Sequence, residues 1–293
     1  MKLKTKLTPV RYPGGKSNAL TYLNDYFPKA FKEYREPFFG GGSVGLYLMQ
    51  SHKDTTYYIN DLFYPVYSFW KSIYEKPDDM VKFILEKRND YLVPNDKIVK
   101  GVPSKSSDNG RTLHELCKLD IEKSINDKDE FTTGCLWYIL NKTSYSGMAM
   151  IGSYAPLAWD QNFSENCITN LPKTNALMKS VKEVVITNKD CTELLHNTGD
   201  DVFIFLDPPY KIPINLYGKK GNMHKNFNHN SFADSIKQCS HRWMITYNSD
   251  DDIKTWFKDY HMHDWLLTYT MRQSKKGNKT VGKEGKELLI WNY

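Results

Sequence analysis

The sequence predicts an α/β domain built on a mainly parallel sheet and interrupted by an insert. Three observations predict it. Val202–Leu206 (VFIFL) is a continuous apolar run of strand length, as a central parallel strand buried on both faces requires. Short β-rich segments alternate with helix-like ones near both ends of the chain, the pattern of βαβ units. Between about residues 92 and 171 that alternation breaks.

Each element has its own justification. Residues 33–39 (EYREPFF) read as a strand entering the turn Gly40-Gly41-Gly42, and residues 43–50 as the following helix with Ser43 as its cap. Residues 55–59 (TTYYI) are β-rich and end in Asn60-Asp61. Residues 63–74 and 79–88 carry helical patterning, residues 100–111 (KGVPSKSSDNGR) read as a loop, and 131–141 as a helix. Residues 143–163 form a Gly/Ser/Tyr/Pro segment read as irregular. Strand pattern resumes at Glu183–Thr187, Val202–Leu206 and 243–247, with a helix from Asp251. Residues 265–270 and 287–291 read as an antiparallel hairpin bracketing a basic loop. The expected division is 1–75 with 173–293 for the sheet domain and 76–172 for the insert.

Composition narrows the classes. A chain of 293 residues, 40% hydrophobic and 25% charged, can bury a sizeable core and is neither collagen-like nor wholly disordered. No apolar run approaches the roughly 20 residues that span a bilayer, so no membrane partner is expected. The start (MKLKTKLTPVRYPGGK) lacks the apolar segment of a secretory signal. The five cysteines (Cys117, Cys135, Cys167, Cys191, Cys239) are odd in number and never spaced as CxxC. That favours a reducing, cytoplasmic compartment over a disulfide or zinc framework. His261 and His263 lack a third ligand in view, so no metal is expected. A net charge of +6 with 14% aromatics suits a nucleic-acid partner about as well as an ordinary basic surface.

Three motifs carry chemistry. Gly40-Gly41-Gly42-Ser43-Val44-Gly45 fits GxGxxG between a strand and a helix, and Asp61 ends the next strand. Glycines let backbone approach a ligand, and the carboxylate can accept ribose hydroxyls; a dinucleotide and another adenosine cofactor both remain open. Asp207-Pro208-Pro209-Tyr210 follows the buried strand, where open α/β sheets place ligands. Two prolines fix φ near −65° and end the ladder, so a carboxylate, rigid carbonyls and a ring are held together. That set can hold a planar amine. Arg11-Tyr12-Pro13-Gly14-Gly15-Lys16-Ser17 is no phosphate loop, because Val10 stands where the first glycine belongs. Its aromatic and cation suit a ligand tail bearing a carboxylate and a positive charge.

In order along nearly the whole chain, the turn at residues 12–16, Glu36-Pro37-Phe38-Phe39-Gly40-Gly41-Gly42-Ser43, Asn60-Asp61, Asn141-Lys142-Thr143-Ser144-Tyr145-Ser146-Gly147 and Asp207-Pro208-Pro209-Tyr210 resemble the Dam-type DNA adenine-N6 methyltransferases. The resemblance implies a Rossmann-like, mainly parallel seven-stranded methyltransferase sheet with an inserted, mostly helical target-recognition domain. It implies S-adenosylmethionine as cofactor, with Tyr12 and Lys16 at its methionine part and Phe38, Gly40 and Gly42 along its floor. Asp61 would take the ribose hydroxyls and Asp190 would approach the adenine. Asp207, Pro208, Pro209 and Tyr210 would be catalytic, with Asp207 also near the cofactor. The substrate would be double-stranded DNA, with the target adenine flipped out of the helix.

Tyr145, with Ser146 beside it, aligns with an aromatic that such enzymes insert into the DNA stack. Lys219 and Lys220 lie in a segment expected to bind a strand, and Arg272, Lys275 and Lys276 in the basic loop would meet phosphates. A cognate restriction endonuclease is a candidate partner, and the nucleoid or a viral host's cytosol a candidate location. Alternatives are a methyltransferase acting on another planar amine (cytosine N4, RNA adenine), an NAD-dependent oxidoreductase, and a non-enzymatic DNA-binding protein.

Overall fold

The computed structural model describes residues 3–91, 107–211, 226–276 and 279–293, with side chains omitted at 107–108 and from 268 to 284. Its helices are α1 (Leu20–Leu23), α2 (Ser43–Leu48), α3 (Tyr64–Glu75), α4 (Pro77–Asn89), α5 (Ser107–Asn126), α6 (Glu130–Thr143), α7 (Pro156–Asn162), α8 (Glu165–Thr169), α9 (Leu171–Lys179), α10 (Cys191–His196), α11 (His229–Lys237) and α12 (Asp251–Trp256). The strands are β1 (Glu33–Glu36), β2 (Thr56–Asn60), β3 (Glu183–Thr187), β4 (Val202–Leu206), β5 (Arg242–Asn248), β6 (His261–Lys276) and β7 (Lys279–Trp291). The chain forms two units. A sheet unit takes Met1–Leu7, Gly14–Leu62 and Val181–Tyr293, and a helical unit takes Thr8–Pro13 and Phe63–Ser180.

In the sheet unit the seven strands run in the order β3-β2-β1-β4-β5-β7-β6, parallel except for β7, which is antiparallel to both its neighbours. This is the mainly parallel α/β sheet expected of a Rossmann-like methyltransferase. Central β4 is buried at all five positions. Its alternation splits the core: Val202, Ile204 and Leu206 pack with Leu195, Phe232, Ile236 and Ile253, whereas Phe203 and Phe205 meet Phe27, Phe31 and Tyr34. Truncating Phe203 to alanine would cost about 3–5 kcal/mol. Since β1, β2, β4 and β5 are parallel, Glu36, Asn60, Leu206 and Asn248 all end at one edge of the sheet. The strand order reverses between β1 and β4, so the loops after them flank the crevice where such sheets bind ligands.

The helical unit is organised on α6, every residue of which from Thr133 to Thr143 is buried. A helix buried all round is the core of its unit. Asp129 caps it by accepting the Thr132 N–H at 3.0 Å, and Phe69 of α3 stacks on Tyr138 at 5.8 Å and 7°.

Several expectations need correction. Gly42, not Ser43, caps α2; Ser43 is its first residue and contacts Ser17 through their hydroxyls at 3.1 Å. Residues 107–111 are helical, and Pro156–Asn162 within the supposedly irregular segment is helix, with Pro156 opening it. The basic segment 271–286 is mostly strand, because β6 and β7 run on to Lys276 and Lys279. The unit boundaries fall at 62/63 and 180/181, so α3 lies with the helices, as does Thr8–Pro13, which the sequence reading gave to the sheet domain.

Candidate active site

The glycine turn is shaped from beneath by Glu36. Its buried carboxyl accepts the Tyr34 phenol at 2.7 Å and the Gly45 N–H at 3.0 Å. Burial pushes this carboxyl well above the ordinary range, against the opposing pull of the Tyr34 phenol. Gly45 is required by this approach: a Cβ there would sit 2.8 Å from the Phe39 ring and 2.9 Å from Glu36 Oε2. Gly42 is required by its backbone, at φ 68°. Asp61, after β2, accepts the Gly40 N–H at 2.8 Å and so holds the turn against the strand edge. Asn60, the last residue of β2, ties the loops after β1 and β3 to its own strand end: its amide donates to the Pro37 and Lys189 carbonyls at 3.0 Å each, and its oxygen accepts from Thr187 Oγ1 and Lys189 N. Phe38 is half-buried, edge-on to Phe227 and Phe232.

Asp207, after β4, meets Lys16. The ammonium lies 2.6 Å from both carboxylate oxygens and 2.9 Å from the Gly14 carbonyl, and Thr246 Oγ1 donates to Oδ1 at 2.8 Å. Lys16 is 3% exposed and Asp207 21%. A pair this buried persists because each charge answers the other; removing one partner would strand its mate. Pro208 is buried, and Pro209 and Tyr210 are half-buried. The Tyr210 phenol donates to Glu287 Oε2, its ring lies 6.1 Å from that of Tyr247, and Lys16 Nζ lies 5.0 Å from its centroid. The next residue pins the corner down: Lys211 pairs with Asp250 at 3.1 Å and with Asp252.

Lys16, Asp207 and Tyr210 therefore converge, with Phe38, Gly40, Gly42 and Asp61 on the adjoining strand ends of the same unit. Asp190 is exposed at the end of β3 and caps α10, accepting from Thr192 N at 2.9 Å and Thr192 Oγ1 at 2.6 Å, bonds that lower its pKa. Tyr12, Tyr145 and Ser146 lie in the helical unit. There Asn141, fully buried, accepts the Arg11 N–H at 3.0 Å and donates to the Arg11 and Gly147 carbonyls. The loop after α6 bonds back to Ser153 through the Tyr145 N–H, places Ser146 at φ 54°, and leaves Tyr145 61% exposed. Lys219 and Lys220 lie outside the described residues. Arg272, Lys275 and Lys276 are on the backbone of β6 in the hairpin.

Sequence reasoning missed Glu36, Thr246 and Glu287 as parts of this site. Two signals were present: Glu36 opens the glycine motif, and Glu287 opens the apolar run ELLIW, where strand alternation puts it on the same face as Leu289. Among the described residues, no group of three His, Cys, Asp or Glu side chains is placed to hold a metal ion, and no helix is long and apolar enough to cross a membrane.

Comparison with known proteins bears on this geometry. The chain is 27% identical over 218 residues to the Type II methyltransferase M.MjaIII of Methanocaldococcus jannaschii, covering 70% of this chain and 69% of that one. It is 22% identical over 292 residues to the Type II methyltransferase M.CviBI of Paramecium bursaria Chlorella virus NC1A, covering 97% and 98%. It is also 23% identical to the modification methylase StsI of Streptococcus sanguinis, of which it spans 43%. Residues 12–271 match the family described as D12 class N6 adenine-specific DNA methyltransferase. With the match running from the Lys16 turn through the Asp207 corner and into the hairpin, the chain belongs to the D12 class of N6 adenine-specific DNA methyltransferases.

Proposed function

We propose that this methyltransferase takes its methyl group from S-adenosylmethionine and that the corner from Asp207 to Tyr210 holds the adenine amino group, turned out of duplex DNA. The observation that carries the reading is the Asp207 carboxylate, fixed on Lys16 and Thr246 at the strand end next to the glycine turn. The residues present suit the cofactor: a carboxylate after β2 for ribose hydroxyls, an aromatic wall at Phe38, and the turn at Lys16 for the methionine part, with the Lys16 ammonium itself engaged by Asp207 and the Gly14 carbonyl. When bound, that cofactor supplies an electrophilic methyl on a sulfonium sulfur.

The adenine amine is a weak nucleophile because its lone pair is delocalised into the ring. Asp207 counters this by accepting one N–H while the Pro208 carbonyl accepts the other, which favours a pyramidal nitrogen. A carboxylate offers about four lone-pair sites; Lys16 occupies one on each oxygen and Thr246 another, which leaves one for the incoming amine. Lys16 holds the Asp207 carboxylate aimed, so no reorganisation is required when positive charge develops on the nitrogen. Tyr210 stacks on the base. Alignment of this kind can lower a barrier by roughly 7–11 kcal/mol.

The helical unit is the target-recognition part in this reading, with Tyr145 filling the gap left by the flipped adenine. Arg272, Lys275, Lys276, Lys219 and Lys220 contact phosphates. Asp190 reaches the cofactor's adenine through the end of β3. The names of the relatives support a partner restriction endonuclease, and a DNA substrate suits the cytoplasm. Methylating a mixed-sequence duplex library with S-adenosylmethionine and mapping the product tests the reading: N6-methyladenine within one short sequence is expected. No transfer from that cofactor, or transfer independent of sequence, would overturn it.

A further inference from the structure

Glu287 lies on β7, opposite Asn248 of β5 and Trp265 of β6, and is 1% exposed. An acid buried between strands is costly unless it is hydrogen-bonded. It accepts a hydrogen bond from the Tyr210 phenol, and the charges of Lys16 and Asp207 act on it as well. Burial pushes the carboxyl up to about 7, and in either protonation state it keeps an oxygen able to accept the phenol.

Tyr210 needs such a hold. It lies outside regular secondary structure, and the two prolines before it fix their own φ angles but not the tyrosine side chain. Among the groups that set the ring are Tyr247 and the Lys16 ammonium beside it and Glu287 at the hydroxyl.

We propose that Glu287 is a positioning residue of this methyltransferase: by holding the Tyr210 phenol from β7 it fixes the plane of the ring on which the target adenine stacks. The inference rests on the stacking role given to Tyr210 above. It adds a group from the hairpin end of the sheet, far along the chain from the corner it serves. Leucine would fill the same volume without the bond, whereas glutamine would keep an acceptor oxygen and the shape.

The test compares Glu287→Leu, Glu287→Gln, Tyr210→Phe, the Glu287→Leu/Tyr210→Phe double variant and Tyr210→Ala. Read-outs are kcat, KM for DNA, KM for cofactor, and fluorescence of 2-aminopurine at the target position. Glu287→Leu and Tyr210→Phe should each lower kcat by about tenfold, with the double variant no worse than either, as two ends of one bond require. Cofactor KM should stay unchanged, the 2-aminopurine signal should report a less stacked base, and Glu287→Gln should recover most of what leucine loses. Tyr210→Ala should be the most impaired. If Glu287→Leu does not fold, Tyr210→Phe and Glu287→Gln still decide. Tyr210→Phe with wild-type kcat overturns the proposal, as do losses that multiply in the double variant. Tyr210→Ala with wild-type kcat overturns the stacking role itself, and the inference with it, so the two failures can be told apart.

Discussion

The two units treat buried charge in opposite ways. In the sheet unit, Lys16 and Asp207 are tied at 2.6 Å, and the charge of Lys16 also acts on the buried Glu287. In the helical unit, Lys142 is 8% exposed, with its ammonium 5.3 Å from the Tyr138 ring and no carboxylate paired to it among the described residues. The loop that follows Lys142 is held by neutral groups, chiefly the Asn141 amide on Arg11 and Gly147. A site that stabilises charge in a reaction needs charges fixed beforehand, whereas a loop that presents an aromatic outward needs only a rigid backbone beneath it.

The largest effect expected from this contrast is at Lys16. Lys16→Met strands the Asp207 carboxylate, so the denaturant midpoint should fall by an amount equivalent to about 3–5 kcal/mol. An unchanged midpoint would show that the pair is not answered charge for charge. Tyr145→Ala comes next. Its side chain is 61% exposed, so stability should move by less than about 0.5 kcal/mol. Methyl transfer to duplex DNA should drop roughly 5- to 150-fold, the worth of one base–aromatic stack; full activity would remove Tyr145 from the DNA interface.

The smallest loss is expected at Lys142. Burial lowers its pKa from 10.5 to about 8. Between those values the unfolded chain binds more protons than the folded one, so this group makes stability rise with pH across that window. Lys142→Met should abolish that rise and, because it removes a buried ammonium with no carboxylate partner among the described residues, should cost no stability at pH 7 and raise it instead. A loss as large as that at Lys16 would erase the distinction between the units.

How far the sequence could reveal this follows from the range of the interactions. β4 was legible because VFIFL leaves no polar face, and the glycine turn because two glycines are forced by local geometry. The order of motifs carried the family. The Lys16–Asp207 pair was not legible, since it joins positions 191 residues apart and only the folded sheet brings them together. The reach of β6 and β7 was hidden by Gly282, Gly285 and the lysines, which lack the apolar alternation of a half-buried strand. α7 was masked by its surroundings, although Pro156 at its start was a usable signal. α3 was assigned by its neighbours in sequence, yet packs on α6.

The account stands most directly on Asp207. Single-turnover methyl transfer, with saturating S-adenosylmethionine and a duplex carrying the mapped site, should be roughly 10³-fold or more slower for Asp207→Ala than for the wild type. Circular dichroism and cofactor binding, measured on the same sample, should show a folded protein. A variant that is folded, binds cofactor and transfers the methyl group within tenfold of the wild-type rate would contradict the claim that this carboxylate grips the adenine amine.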